Sequence, residues 1–415
     1  MIIPAHGEDD LGQPAEASST FVRYSVSLRY KHDDGGRALG SLELTKEELE
    51  HITLRDAPQQ LRFEHSRAWR NNAVNNRRRT PKYISTEGTG SERVINVHQD
   101  GGSSGKPQKL RAANLPRTVV SAANSAESPT ATLVKREMQS WRLLQLEPSS
   151  LREPDNFTAP TELATDGAHL PAAMFHLAHA SNGGRADSDA VYAEVANRVS
   201  ELIDDVRGVS VDRDERRQLL TVCVTGRDGT TYPARALSDG TLRFLALAVL
   251  AIDPDSRGVV CMEEPENGIH PERIPAMIQL LRDLASDTES EDGAESQGLG
   301  AGIRQVIVNT HSPAVVLQVP EDSLIMAEPI RMVRDGQSFK ALQLRCLADT
   351  WRAKAGTETI SKGQLLAYLN PVSRSLGSGW DPEAPGEIEK RLRRVIDHGN
   401  LLQYKLDLES SEGMV

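Results

Sequence analysis

Cysteine is scarce in this chain of 415 residues: Cys223, Cys261 and Cys346 are odd in number and far apart, so neither a disulfide framework nor a clustered zinc site can be built from them. A reducing cytoplasm is the expected setting. Long apolar runs are missing too. The longest, Phe244–Ile252, has nine residues, whereas a membrane helix needs about 20, so no span is expected. The opening Met1–Asp10 shows no basic leader ahead of a long apolar stretch and does not read as a secretory signal. Positive charge is in short supply: the formal net charge of -11 argues against a chain that adheres to nucleic acid over its whole surface. Trp69, Trp141, Trp351 and Trp380 read as packing residues rather than base-stacking platforms. What remains is an ordinary soluble composition, 38% hydrophobic and 26% charged, which excludes collagen-like and wholly disordered chains and suffices for two or three lobes.

Charge is unevenly spread. Between Arg62 and Arg117 twelve Lys/Arg face four Asp/Glu, a net +8 that leaves -19 for the remainder. The densest part, Arg67, Arg70, Arg77, Arg78, Arg79 and Lys82, lies among Asn and Ser and reads as loop. It suits either plain solvation or contact with a phosphate backbone, which requires clustered cations and little else.

Apolar alternation over Phe21–Tyr30 predicts a strand that returns through Asp33–Gly36 to Gly40–Leu44, and Thr45–Ile52, with Glu47, Glu48 and Glu50 near its start, predicts a short capped helix. Strands are expected near Lys82–Ser85 and Arg93–His98, and helices over Pro129–Leu144, Asp166–Ala180 and Asp189–Val206. Val209–Asp212 and Leu219–Thr225 form a second expected hairpin. An α/β alternation follows: helix Gly240–Ile252, strand Gly258–Met262, helix Pro271–Ala285, strand Gln305–Asn309 and a helical turn at Pro313–Leu317. Alternation of this kind implies parallel strands. The expected lobes are a β-rich one over 1–120 with the basic loop, a helical one over 121–206, an α/β core over 207–345 carrying an acidic disordered insert at 286–302, and a helical tail over 346–415.

Three short segments could carry chemistry. The strand Val259–Met262 delivers Glu263 and Glu264 to its C-terminal edge, where ligands bind in open α/β sheets. One carboxylate there can hold Mg²⁺ while its neighbour takes a proton from water. Ser238–Thr241 opens an apolar helix with a hydroxyl and free backbone N–H groups, which suits a terminal phosphate and equally a plain N-cap. Val306–Asn309 leads into His311, a hydrogen-bond donor for phosphate or water, or a structural histidine.

In this order the segments resemble the ABC-type ATPase head of the SMC/RecF/Rad50 class, in its bacterial AAA family ATPase branch. The resemblance covers Ala236–Glu328. It implies a P-loop NTPase fold, α/β with a parallel-sheet lobe, an antiparallel β lobe and a helical lobe. It further implies ATP and Mg²⁺ as cofactors and a head-to-head dimer in which each signature loop completes the site of the opposite copy. On it Ser238, Asp239, Gly240 and Thr241 match the signature loop, Glu263 the metal carboxylate, Glu264 the catalytic base, Glu266–His270 the D-loop with Asn267 and Gly268 at the nucleotide, and His311 the switch histidine. Glu263 stands where Asp is usual and reaches one methylene further.

The phosphate loop G-x-x-x-x-G-K-[ST] is the missing part. Asp100–Pro107 comes nearest, but it starts with Asp and puts Pro107 where the metal hydroxyl belongs. The expectation is a chain without its family's N-terminal ATP-gripping segment, binding ATP poorly alone and relying on a second copy or a partner that bears a P-loop. The functional expectation is an ATPase whose cycle drives dimerisation in DNA repair, chromosome maintenance or anti-phage defence, with DNA reached through the basic loop. The competing expectation is an inactive binding or regulatory subunit. A gated nuclease finds no clustered carboxylates after Thr350 to support it.

Overall fold

The structure is a computed structural model that describes residues 1–31, 41–76, 82–100, 105–180, 185–203, 205–254, 256–286, 288, 303–334, 336–354 and 356–369. Arg77, Arg78, Arg79, Trp380, nearly all of the acidic insert and most of the tail therefore lie outside the described residues. The backbone divides into two units, Met1–Ile360 and Ser361–Val415.

The first unit opens with a short antiparallel hairpin, His6–Glu8 with Pro14–Glu16, and continues into a five-stranded antiparallel sheet. Strand β1 (Val22–Lys31) pairs with β2 (Ser41–His51), which runs straight through the segment expected as a helix. Two features override the helical signal there. Thr45 is skipped in the register, Ser27 facing Lys46 and Leu28 facing Leu44, so it forms a bulge whose hydroxyl donates to the Ser27 carbonyl at 3.0 Å. Leu44, Glu47 and Leu49 then point inward, Glu47 fully buried. The Glu47 carboxylate accepts from the backbone N–H groups of Val119 at 2.7 Å and Val120 at 2.9 Å and from the Tyr24 hydroxyl at 3.1 Å. Burial, with the Glu47 charge beside it, pushes the Tyr24 phenol well above its ordinary value. Part of the stretch expected as basic loop is helix α1 (Arg67–Ala73), capped by Ser66, whose hydroxyl accepts from the Trp69 N–H at 3.0 Å. Its Trp69 is buried, and Lys82 reaches the Glu48 carboxylate at 3.4 Å. Strands β3 (Lys82–Glu87), β4 (Val94–Val97) and β5 (Gln108–Arg111) complete the sheet in the order β1-β2-β3-β4-β5. Ile3, Val22, Leu49, Ile84, Ile95 and Leu133 form its core.

Helix α2 (Pro129–Gln139) follows, and it ends before the 144 expected from the sequence. The Asp100 carboxylate accepts from the Thr130 N–H and the Ser18 hydroxyl, each at 2.6 Å. The acid heading the glycine stretch thus serves a helix N-terminus. The residues past α2 are strand β6 (Arg142–Leu144), because Leu143 pairs in parallel with Cys261 and Leu144 sinks into the core. Next come α3 (Pro148–Arg152), α4 (Leu170–Ala180), α5 (Arg185–Ser200) and a small antiparallel sheet of β7 (Val206–Asp214), β8 (Leu219–Gly226) and β9 (Thr231–Pro233). Helix α6 (Asp239–Ile252) is apolar all round from Phe244 onward and buried throughout Phe244–Leu250, as a core helix must be. Strand β10 (Gly258–Glu263), helix α7 (Ile274–Leu284), strand β11 (Arg304–Asn309) and helix α8 (Pro313–Gln318) finish the α/β part.

The parallel sheet has the order β11-β10-β6. Val260, Met262 and Leu144 pack on α6 and α7 in one core, each side chain burial contributing about 1.5–3 kcal/mol. The opposite face carries Leu143, Cys261 and Ile307 in register, with Leu143 49% and Ile307 55% exposed. Parallel sheets are ordinarily covered on both faces, and among the described residues this one is covered on one.

A long hairpin, β12 (Ile325–Arg334) and β13 (Gln337–Leu347), extends the unit, and β14 (Thr359–Ile360) pairs in parallel with the end of β13. The second unit contributes helix α9 (Lys362–Leu369). None of the described helices is long and apolar enough to cross a membrane.

Candidate active site

Strand β10 ends at Glu263, which stands exposed in register with Asn309. The next residue, Glu264, has φ 44°, in the left-handed region, a conformation that costs a non-glycine residue about 1–3 kcal/mol and persists only where neighbours enforce it. Here they do. The Glu264 N–H donates to the Asn309 carbonyl at 2.7 Å, and its carbonyl accepts from the Asn267 N–H at 3.0 Å. The bend turns the Glu264 side chain toward the loop after β11. His311 Nδ1 lies 2.7 Å from Glu264 Oε1, and the Asn267 side-chain amide donates to Glu264 Oε2 at 2.6 Å. Both oxygens of this carboxylate are therefore engaged. The imidazole is 72% exposed, so its other nitrogen faces outward.

A second tie joins the same loops. The Thr310 hydroxyl donates to Glu266 Oε1 and accepts from the Ser312 N–H at 3.0 Å. Glu266 is buried, and its Oε2 has no hydrogen-bond partner among the described residues.

Ser238 caps α6: its Oγ accepts from the Thr241 N–H at 3.2 Å and lies 2.8 Å from the Thr241 hydroxyl. Two arginines hold this turn. Arg152, on α3, donates to the Leu237 carbonyl at 3.1 Å and pairs with the Asp239 carboxylate. Arg243, one turn into α6, donates to the Leu146 carbonyl at 3.3 Å and to the Asn267 carbonyl. Gly240 lies against Gly268, where an added Cβ would stand 3.6 Å from the Gly268 carbonyl, and Gly268 itself has φ 79°, which glycine adopts without strain. The serine turn and the Asn267–Gly268 loop thus touch.

A cleft of about 380 Å³ opens at the C-terminal edge of the parallel sheet. Glu263, Glu264, Asn267, Arg243, Gln145 and Glu147 supply its polar lining. Ser238, Asp239, Gly240, Thr241 and His311 do not line it. Gln145 follows β6 as Glu263 ends β10, with Leu144 and Met262 paired just before them. Sequence reasoning missed Gln145 because 129–144 read as one helix. It also missed Arg152 and the reach of Arg243, whose partners come from distant parts of the chain.

The donor set bears on a metal. Among the described residues no three His, Cys, Asp or Glu cluster to hold an ion. An exposed Glu263 carboxylate with the Gln145 amide nearby offers few, hard, oxygen donors. This suits Mg²⁺, which keeps several waters and takes one or two carboxylates along with substrate phosphates.

The family described as "AAA domain, putative AbiEii toxin, Type IV TA system" matches residues 93–317, more than half of the chain. The chain belongs to that family. It is accordingly an AAA-type, P-loop-ATPase-like protein, and the matched region contains the whole cleft, the serine turn and His311. Similar solved structures include an Smc head domain with a coiled coil and joint from Pyrococcus yayanosii, at 12% identity and TM-score 0.28, with 45% of this chain and 30% of that one covered. An SmcHead bound to the C-winged helix domain of ScpA is similar at 10% identity and TM-score 0.30, over 63% of this chain and 75% of that one. The chain thus spans under a third of the first of these structures. No curated protein matches the chain.

Proposed function

We propose that this AAA-family head hydrolyses ATP at the Glu263–Glu264 edge of its parallel sheet, in an assembly of two heads that couples turnover to work on DNA. The observation that carries the reading is the contact of 2.7 Å between Glu264 and His311 at the ends of adjacent parallel strands. It pairs a proton acceptor with a hydrogen-bond donor beside an acidic strand end, the grouping that hydrolysis of a phosphoanhydride requires.

Glu263 and Gln145 would hold Mg²⁺, which when bound neutralises charge on the phosphate oxygens. Glu264 accepts the proton of the attacking water, and His311 donates toward the transferred phosphate. Since Asn267 and His311 occupy both Glu264 oxygens in this state, Asn267 must give way for water to be polarised. Ser238 and Gly240, off the cleft, serve the nucleotide of the opposing head. The phosphate loop that would complete the site is not among residues 1–415, and the open face at Leu143 and Ile307 leaves one side of the parallel sheet for such a segment. The alternative of a catalytically inactive binding subunit is favoured by one feature, the doubly engaged Glu264. Mg-ATP hydrolysis measured with the chain alone and with a P-loop-bearing copy separates the two: turnover in neither condition would leave only the inactive reading.

Ser238 permits a sharp separation of cap from catalysis. Asp is as good an N-cap as Ser, so Ser238→Asp is expected to leave thermal stability within about 0.5 kcal/mol while its negative charge faces the phosphates and lowers turnover of the paired heads at least about tenfold. Unchanged turnover in that variant would reduce Ser238 to a cap.

A further inference from the structure

The hairpin β12–β13 is a ribbon of ten facing residue pairs, from Ile325 opposite Cys346 to Arg334 opposite Gln337, and roughly 30 Å long at the usual strand rise. Facing residues share a side of the ribbon, so the register sorts its charges. Near the base they are matched: Glu328 pairs with Arg345, and the Gln343 amide donates to Glu358 at 3.0 Å. Beyond the Pro329–Leu342 pair they are not. Arg331 stands directly opposite Lys340 on one side, and Arg334 lies on the other, all three exposed. None of them makes an ion pair with a described residue. Like charges facing each other weaken a ribbon by roughly 0.2–1 kcal/mol, a cost that an anionic ligand would turn into a gain. Among these cations Val333 is 71% exposed, Met332 45% and Phe339 42%.

We infer that the distal half of this ribbon is a contact site for duplex DNA. The inference extends the reading of the protein as a DNA-coupled ATPase by placing DNA on an element that the basic stretch at 62–117 does not include. A two-stranded ribbon fits a groove about 12 Å wide. A groove is walled by phosphates on both sides, and cations on both sides of the ribbon meet them. Apolar side chains between the cations suit contact with thymine methyl groups on the floor of that groove. A flat anionic bilayer, by contrast, faces one side of a ribbon at a time and would leave either Arg334 or the Arg331–Lys340 pair unused. The surrounding charge sharpens the case: in a chain of net charge -11, residues 330–341 carry three cations, Arg331, Arg334 and Lys340, against one acid, Asp335, a local positive excess.

The test is fluorescence anisotropy of the full chain with a labelled duplex of about 25 base pairs, titrated in salt from about 50 mM upward without nucleotide. Binding by the unaltered protein is expected. Arg331→Gln with Lys340→Gln should weaken it at least about tenfold and lower the slope of log K against log salt by about 2. Phe339→Ala should weaken it with the slope unchanged. All these residues are exposed, so an unaltered melting curve certifies each variant. Because no nucleotide is present, failure here would leave the hydrolysis reading standing, and failed hydrolysis would leave this one. Absence of binding by the unaltered protein, equal binding by the double variant, or binding to vesicles rich in phosphatidylserine without binding to duplex overturns the assignment.

Discussion

Glu264→Gln is expected to lower ATP turnover by the paired heads about 10²–10⁴-fold, the usual contribution of a positioned base. The substitution is close to isosteric. A glutamine oxygen can still accept from the Asn267 amide, and its NH₂ can donate to a neutral His311, so the contacts of 2.6 Å and 2.7 Å have replacements. What disappears is the capacity to take a proton. Nucleotide-driven pairing of heads should therefore persist or lengthen, because the bound state is no longer discharged. Single-turnover phosphate release, read beside the mass of the complex by light scattering, distinguishes this from collapse of the site. Turnover unchanged by Glu264→Gln would remove the base from the mechanism. Asn267→Ala supplies the opposite test: if Asn267 restrains the base, its removal speeds the single-turnover chemical step at saturating nucleotide.

The elements that carry this chemistry were legible because their cause is local. Val259–Met262 and Val306–Val308 are short apolar runs ended by polar residues, and a run of that kind is a buried strand wherever it occurs. Both form strands in parallel register, and the family match bears out the resemblance to an ATPase head. The expectation failed where partners distant in sequence decide. Arg142–Leu144 continues a helical pattern, yet pairing with Val260–Met262 satisfies its backbone and buries Leu144. Without that strand Gln145 has no reason to stand beside Glu263. The ribbon over Ile325–Leu347 did have a local signal, alternating side chains around Asp335–Gly336, and Gly336 adopts φ 76° at the turn. Arg243 lay inside a segment already singled out, but nothing in its spacing says that its guanidinium reaches the Asn267 carbonyl.

Glu47 is where sequence and structure diverge most, and it predicts the largest loss of stability. Three acids close together resemble the first turn of a helix, but Glu47 sits in the middle of β2, fully buried, as the common acceptor for two backbone N–H groups and a phenol. Replacing it with leucine removes a buried charge and leaves the donors of Val119 and Val120 without partners, while the Tyr24 phenol keeps only its contact with the Thr118 side chain. Each orphaned donor costs about 1–3 kcal/mol, less whatever the new apolar side chain recovers. Glu47→Leu is therefore expected to destabilise the N-terminal sheet by about 3–5 kcal/mol, read as a lowered urea midpoint. Glu47→Gln keeps one acceptor oxygen and should fall between the two. The direction also separates two origins of the effect. If the carboxylate mattered only as a charge, Gln and Leu would cost the same; if it works as an acceptor that ties β2 to the Val119–Val120 turn, Gln must rescue part of the loss. A leucine variant as stable as the parent would mean that the turn finds other acceptors, and that the inward position of Glu47 is incidental to the sheet.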